Sequence, residues 1–149
     1  MRAVVQRVSR ASVAVDREIV GEIDRGLLVL LGVTHADKKQ DADYLIDKIV
    51  TLRIFDDADG KMNLSLADTG GGMLIVSQFT LYGDTRSGRR PSFIAAAPGG
   101  EAKELYEYFV TKAKEETATV ATGEFGAMMD VELVNCGPVT ILLDSEKTI

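Results

Sequence analysis

The apolar positions of the chain fall into short runs that mostly read as strands. From Arg2 to Val8 apolar and polar residues alternate loosely, which predicts a strand. Ser12 to Asp16 and Ile19 to Asp24 are short β-type runs around Asp16-Arg17-Glu18, the pattern of a hairpin. Gly26 to Val33 is apolar almost throughout, as in a strand buried on both faces. Asp37 then offers an N-cap with Gln40 as its box partner. Ala42, Leu45, Ile46, Ile49 and Leu52 follow at helical spacing and predict a helix over about 38–51. Leu52 to Phe55 reads as a strand closed by the turn Asp56 to Gly60, and Met73 to Phe79 as a second strand of buried type. Residues 83–100, rich in Gly and Pro, predict a long surface loop. Ala102, Leu105, Tyr106, Phe109 and Ala113 mark a second helix over about 101–117. Met128 to Val134 and Val139 to Leu143 read as two last strands, with Gly137-Pro138 as a turn between them. Two main helices among seven or eight strands, without βαβ alternation, predict an α+β domain rather than a doubly wound one.

Length and composition narrow this further. A chain of 149 residues fits one domain, 1–149. At 46% hydrophobic and 27% charged it has the balance of a globular domain, which excludes intrinsic disorder, collagen and coiled coil. The longest apolar run, Leu27 to Leu31, is far short of the ~20 residues of a membrane span. The charge within Met1 to Arg7 suits a strand rather than a signal peptide, so no membrane partner is expected. A net charge of −6 argues against wholesale wrapping of nucleic acid, and DNA is not an expected partner, but a local basic site stays open. The single Cys cannot form an intrachain disulfide, which suits a reducing cytoplasm. One His and one Cys cannot build a His/Cys zinc site, and a His-dependent triad would need His35. No metal and no cofactor is expected. Hydroxyls, carboxylates, an amide and backbone groups remain for chemistry.

Several motifs fail on inspection. Asp56 to Gly60 resembles half a calcium loop, but Gly60 as sixth position puts Phe55 and Leu66 where the first and last ligands belong, so it reads as a plain turn. Gly70-Gly71-Gly72 reads as a hairpin connection before an anion cradle, His35 as a loop histidine before a base, and Cys136 as a small buried residue. Ser77-Gln78-Phe79-Thr80-Leu81 is more pointed. Three hydrogen-bonding side chains crowd a strand end, with Ser77 and Phe79 on one face and Gln78 and Thr80 on the other. A pocket there would receive backbone amides able to hold a tetrahedral oxyanion. A strand whose polar residues satisfy their own turn is the other reading. Asn135-Cys136-Gly137-Pro138-Val139-Thr140 places a glycine, with no Cβ, where the backbone could approach a ligand closely.

Taken together, Ser77-Gln78-Phe79-Thr80-Leu81 and Asn135-x-Gly137-Pro138-Val139-Thr140 resemble the two signature motifs of the D-aminoacyl-tRNA deacylases. The opening Met1-Arg2-Ala3-Val4-Val5-Gln6-Arg7-Val8, the stretch Gly88-Arg89-Arg90-Pro91-Ser92-Phe93 and Gly123-x-Phe125-Gly126-Ala127-x-Met129 are similar to that family's pattern too, so the resemblance covers essentially the whole chain, at the length of the bacterial form. Many members carry an acidic residue where this chain has Cys136.

The resemblance implies a β-rich α+β unit, a mixed and mostly antiparallel sheet curved into a barrel-like sandwich with two main helices, working as a homodimer. It implies hydrolysis of the ester between a D-amino acid and the terminal adenosine of tRNA. It implies a cis Gly137–Pro138 bond that enters the partner subunit's active site, held by Arg7, opposite Ser77, Gln78, Phe79 and Thr80. It adds Met129, Asn135 and Thr140 to the substrate side. A dipeptide that opposes the substrate Cα would reject L residues by collision rather than by fit. Glycine has no side chain to reject, so glycyl-tRNA would be exposed to cleavage. The chemistry asks for an oriented water, which the substrate's ribose 2′-hydroxyl could direct, and amides near Phe79 and Thr80 for the oxyanion. Arg86, Arg89 and Arg90 are the candidates for tRNA phosphate contact, against a merely solvated loop. Two other readings stay open: a small esterase with Thr80 or Ser77 as covalent nucleophile, and a non-enzymatic ligand-binding dimer.

Overall fold

A computed structural model describes all 149 residues. The elements are β1 (Arg2–Val15), β2 (Glu18–Ile23), β3 (Gly26–Gly32), α1 (Lys39–Thr51), β4 (Phe55–Asp56), β5 (Met62–Leu64), α2 (Leu66–Thr69), β6 (Gly72–Ser77), a 3₁₀ turn (Phe79–Tyr82), α3 (Gly99–Glu116), β7 (Val120–Thr122) and β8 (Asp130–Asp144). The main sheet is mixed and runs β2-β1-β3-β6-β7, with β8 on the other edge of β1. Pairs among β1, β2, β3 and β8 are antiparallel, while β3–β6 and β6–β7 are parallel. The sheet nearly closes: a Cβ on Gly21 of β2 would stand 2.4 Å from the Thr122 carbonyl oxygen of β7. Only glycine permits that approach.

Two cores lie on the two faces of the sheet. In β3, Leu27, Val29 and Leu31 pack toward α1 and α3, and Leu28 points into the barrel; β6 divides Met73 and Ile75 from Leu74 and Val76 in the same way. The expectation of a doubly buried β3 holds, and its reason is this double-sided packing. α1 buries Ala42, Leu45, Ile46, Ile49 and Val50; α3 buries Ala102, Tyr106, Phe109, Val110 and Ala113. β1 begins on the helix face with Ala3 and Val5 and continues on the barrel face with Val8, Ala11 and Val13. The three-residue step from Val8 to Ala11 is absorbed by a register shift at Val8–Arg10.

The structure corrects several sequence expectations. The hairpin at Asp16-Arg17 forms, with both residues at positive φ, but its first strand is the far end of one 14-residue β1. The α1 N-cap is Lys38, whose N–H donates to Asp41 at 2.8 Å. Asp37 instead accepts from the chain's α-amine at 2.5 Å and from the Thr34 N–H at 2.8 Å. The strand at Leu52 to Phe55 shrinks to Phe55–Asp56. Gly70-Gly71-Gly72 is no hairpin connection: Gly70 ends the short α2 at φ 68, and Gly72 starts a strand parallel to β3. Met73 to Phe79 stops at Ser77, so Phe79 and Thr80 belong to the 3₁₀ turn and strand alternation does not orient them. The last two strands are one, β8, and Gly137-Pro138 lies inside it. Cys136 is exposed.

Candidate active site

A cavity of about 660 Å³ opens where β6 runs into the 3₁₀ turn. Its lining is mostly apolar and includes Ser77, Gln78, Phe79, Phe93, Phe125 and Met129. β6 supplies Ser77 because its parallel pairing with β3 ends there, at Leu31↔Ser77. The Gln78 N–H then donates to the Leu31 carbonyl at 2.8 Å, and the chain turns. Phe79 and Thr80 open the 3₁₀ turn, and the first N–H groups of a helical turn have no intrahelical acceptor. Phe79 stacks edge-on with Phe93, ring centres 5.1 Å apart. Met129 needs Gly123 beneath it: a Cβ there would lie 2.6 Å from its sulfur.

Thr80 stands at the rim, exposed and outside the lining. Its Oγ accepts from the Gln78 side-chain amide at 2.5 Å. An amide nitrogen takes no proton from a hydroxyl, so Thr80 has no general base. The Ser77 hydroxyl lines the cavity without a hydrogen bond inside the chain. His35 serves neither, since its Nε2 lies 2.7 Å from the Ile94 carbonyl oxygen.

Gly137 and Pro138 are elsewhere. Between Gln6 and Val8, β1 has the single residue Arg7; opposite it, between Asn135 and Thr140, β8 has four, Cys136 to Val139. The surplus bulges from the ladder, and the Gly137–Pro138 bond in it is cis. Arg7 clasps the bulge. Its Nε donates to the Cys136 carbonyl at 3.0 Å, and its Nη1 donates both to the Ile54 carbonyl at 2.8 Å and to the Asp56 carboxylate at 3.3 Å. Asn135 bridges the neck, accepting from the Val139 N–H at 3.2 Å and donating to Thr140 at 3.1 Å, where Gln6 also donates. Gly137 has φ 126, and a Cβ on it would meet Arg7 at 2.8 Å.

Thus Ser77, Gln78, Phe79 and Met129 meet at the cavity, and Arg7, Asn135, Gly137, Pro138 and Thr140 meet at the bulge. The two groups do not meet within the chain. Arg2 reaches Leu81 just past the cavity end, and Arg7 is five residues further along β1, about 17 Å at the rise of a strand. The arginines split likewise. Arg86 is clamped on Asp84 by bonds of 2.9 and 2.7 Å, which hold the Asp84 carboxyl well below the usual range and raise Arg86. Arg89 and Arg90 are exposed without an acidic partner. Sequence reasoning gave no site role to Phe125 and Ala127 of the Gly123-to-Met129 stretch, and missed Met128 and Val131 of the cavity wall and the Ile54 and Asp56 partners of Arg7. Only tertiary contact unites these with the motifs.

The family model for D-Tyr-tRNA(Tyr) deacylase matches residues 4–144. The D-aminoacyl-tRNA deacylase of Clostridioides difficile (strain 630) is 64% identical over 148 residues, covering 99% of each chain. That of Thermosipho africanus (strain TCF52B) is 62% identical over 147 residues, again 99% of each. Among solved structures, the c-Myc DNA Unwinding Element Binding Protein is similar at a TM-score of 0.92 and 40% identity over 97% of this chain and 98% of that one. A probable eukaryotic D-amino acid tRNA deacylase shares the fold at a TM-score of 0.82 and 17% identity over 95% of this chain and 97% of that one. The chain therefore belongs to the D-Tyr-tRNA(Tyr) deacylase family and is a hydrolase acting on the ester of D-aminoacyl-tRNA.

Proposed function

We propose that two copies of this chain assemble so that the Gly137–Pro138 bulge of one faces the Ser77-to-Thr80 cavity of the other, and that each cavity takes the 3′-terminal aminoacyl-adenosine of a tRNA carrying a D-amino acid. The observation that carries this is the separation of the two motif groups. A bulge clasped by Arg7 and Asn135 and turned out of its own ladder has nothing to oppose within its own chain. Its carbonyls offer rigid acceptors for the substrate amino group. With amino group and Cα–H fixed, an L side chain collides with protein while a D side chain leaves the cavity. Glycine esters escape rejection and are expected to be cleaved.

Water attacks the ester carbonyl carbon. The N–H groups of Phe79 and Thr80 stabilise the resulting oxyanion, and the ribose 2′-hydroxyl directs the water. Collapse breaks the bond to the ribose 3′ oxygen, which takes up the proton, releasing D-amino acid and tRNA. Thr80 acts through hydrogen bonding, in keeping with its donor partner Gln78. Arg89 and Arg90 contact backbone phosphate near the acceptor end, and Arg86 braces their loop through Asp84. Deacylation of paired D- and L-tyrosyl-tRNA tests this reading, with light scattering on the same sample. Cleavage of the D form alone by a species near 32 kDa, twice the chain's 16.1 kDa, is expected. Equal cleavage of both forms, or full activity in a monomer, would sink it.

A further inference from the structure

The outer wall of the cavity is the segment Phe93 to Ala97, which belongs to no helix and no named strand. Phe93, Ala96 and Ala97 face the cavity, and Phe93 backs Phe79 at 5.1 Å. The Ala96 N–H bonds internally, to the Phe93 carbonyl at 3.0 Å. The hydrogen bonds that leave the segment run to the loop after β3. The Ala97 N–H donates to the Val33 carbonyl at 2.9 Å, Thr34 Oγ donates to the Ala95 carbonyl at 2.6 Å, and His35 Nε2 bonds the Ile94 carbonyl at 2.7 Å. Of these bonds, His35's is the one made to the residue next to Phe93 in the chain. Ile94 itself is 85% exposed, so packing does not hold that residue in place.

We infer that His35 is a positioning residue of the active site: its Nε2–H bond to the Ile94 carbonyl latches the Phe93 wall, and through Phe93 sets Phe79 at the cavity mouth. A carbonyl oxygen only accepts, so Nε2 carries the proton. The latch holds the wall where the aminoacyl-adenosine enters and touches no reacting atom. It therefore acts on substrate binding rather than on the chemical step, and in this it rests on the proposed reading of the cavity.

The test is steady-state deacylation of D-tyrosyl-tRNA by the full chain and by His35→Ala and His35→Gln. His35→Ala should raise KM roughly fivefold, the worth of one ordinary hydrogen bond, with kcat held within about twofold. His35→Gln, whose amide nitrogen reaches about as far as Nε2, should restore most of the KM. The chain has one histidine, so a long-range ¹H–¹⁵N spectrum reports this imidazole alone and should show the Nε2–H tautomer. An unchanged KM in His35→Ala, or an Nδ1–H tautomer, overturns the latch; so does a His35→Gln no better than a folded His35→Ala. If His35→Ala does not fold, the tautomer and a near-native KM in His35→Gln decide. If the unaltered chain fails to cleave D-tyrosyl-tRNA, the proposed function falls. The latch is then decided by amide exchange at Ala97, which should speed up in His35→Ala and must not stay the same.

Discussion

Gly137 is determined at the residue scale from two sides. Its φ of 126 lies where side chains are strained, and Arg7 fills the space a Cβ would take. Gly137→Ala therefore combines backbone strain with displacement of the clasp. At ~1–3 kcal/mol for such strain, kcat/KM should fall by one to two orders of magnitude. A kinetic comparison with the unaltered protein checks it, and an unaffected variant would remove the bulge from the site. Thr80 is a different case. With only an amide for a partner it is not an activated nucleophile, so Thr80→Ala should cost far less than the ~10⁶-fold of deleting a triad serine. Single-turnover kinetics, with mass spectrometry for a trapped Thr80 ester, separate the two. A trapped ester would bring the covalent esterase back.

Among the elements, β6 and α3 bind the site to the core. The Tyr106 hydroxyl of α3 donates to the Ile75 carbonyl of β6 at 2.8 Å, two residues before Ser77. Burial pushes the Tyr106 hydroxyl up to about 12, so it stays a donor throughout the physiological range. Tyr106→Phe keeps the ring and removes one hydrogen bond, and should cost about 1 kcal/mol of stability. Urea unfolding measures it, and an unchanged midpoint would show that the bond contributes nothing. Strand periodicity predicted Phe79 to extend β6. It fails there because β3 ends at Gly32, and without a neighbour in register the chain closes into a 3₁₀ turn instead. Periodicity also divided β8 in two at Gly137-Pro138. It could not register that β1 runs past the bulge and pairs with both halves.

For the whole molecule, charge sets two expectations. Asp144 is buried where β8 ends beside the start of β1. Burial alone would raise its carboxyl, but hydrogen bonds from Thr148, the Glu146 N–H and Arg2, with the nearby α-amine, hold it below the usual range. A carboxyl depressed in the folded state adds stability that is present above the unfolded value, near pH 4, and is lost as pH falls through the folded one. Thermal unfolding of Asp144→Asn should therefore depend less on pH below about 4 than the unaltered protein. Identical acid slopes would discount the group. The second expectation concerns the arginine loop on a chain of net charge −6. If Arg89 and Arg90 each meet a phosphate, Arg89→Ala with Arg90→Ala should flatten the slope of log kcat/KM against log salt by about 1.4–1.8. Arg86→Ala, already neutralised by Asp84, should change the slope much less. Equal slopes in both variants would leave the loop merely solvated.

By itself the sequence determined the class α+β, the doubly buried β3 and the two main helices, because hydrophobic spacing is a local signal and core packing respects it. It also determined the motif residues at Ser77 to Thr80 and Asn135 to Thr140. Tertiary structure alone decided that these two motifs stay apart in one chain, that Arg7 reaches Ile54 and Asp56 while clasping Cys136, and that Arg86 is tied up while Arg89 and Arg90 are free. These are pairings between residues distant in sequence, or competitions among neighbouring charges for one partner. The closure of the sheet decides the distant pairings, and loop conformation decides which charge wins; no local pattern records either.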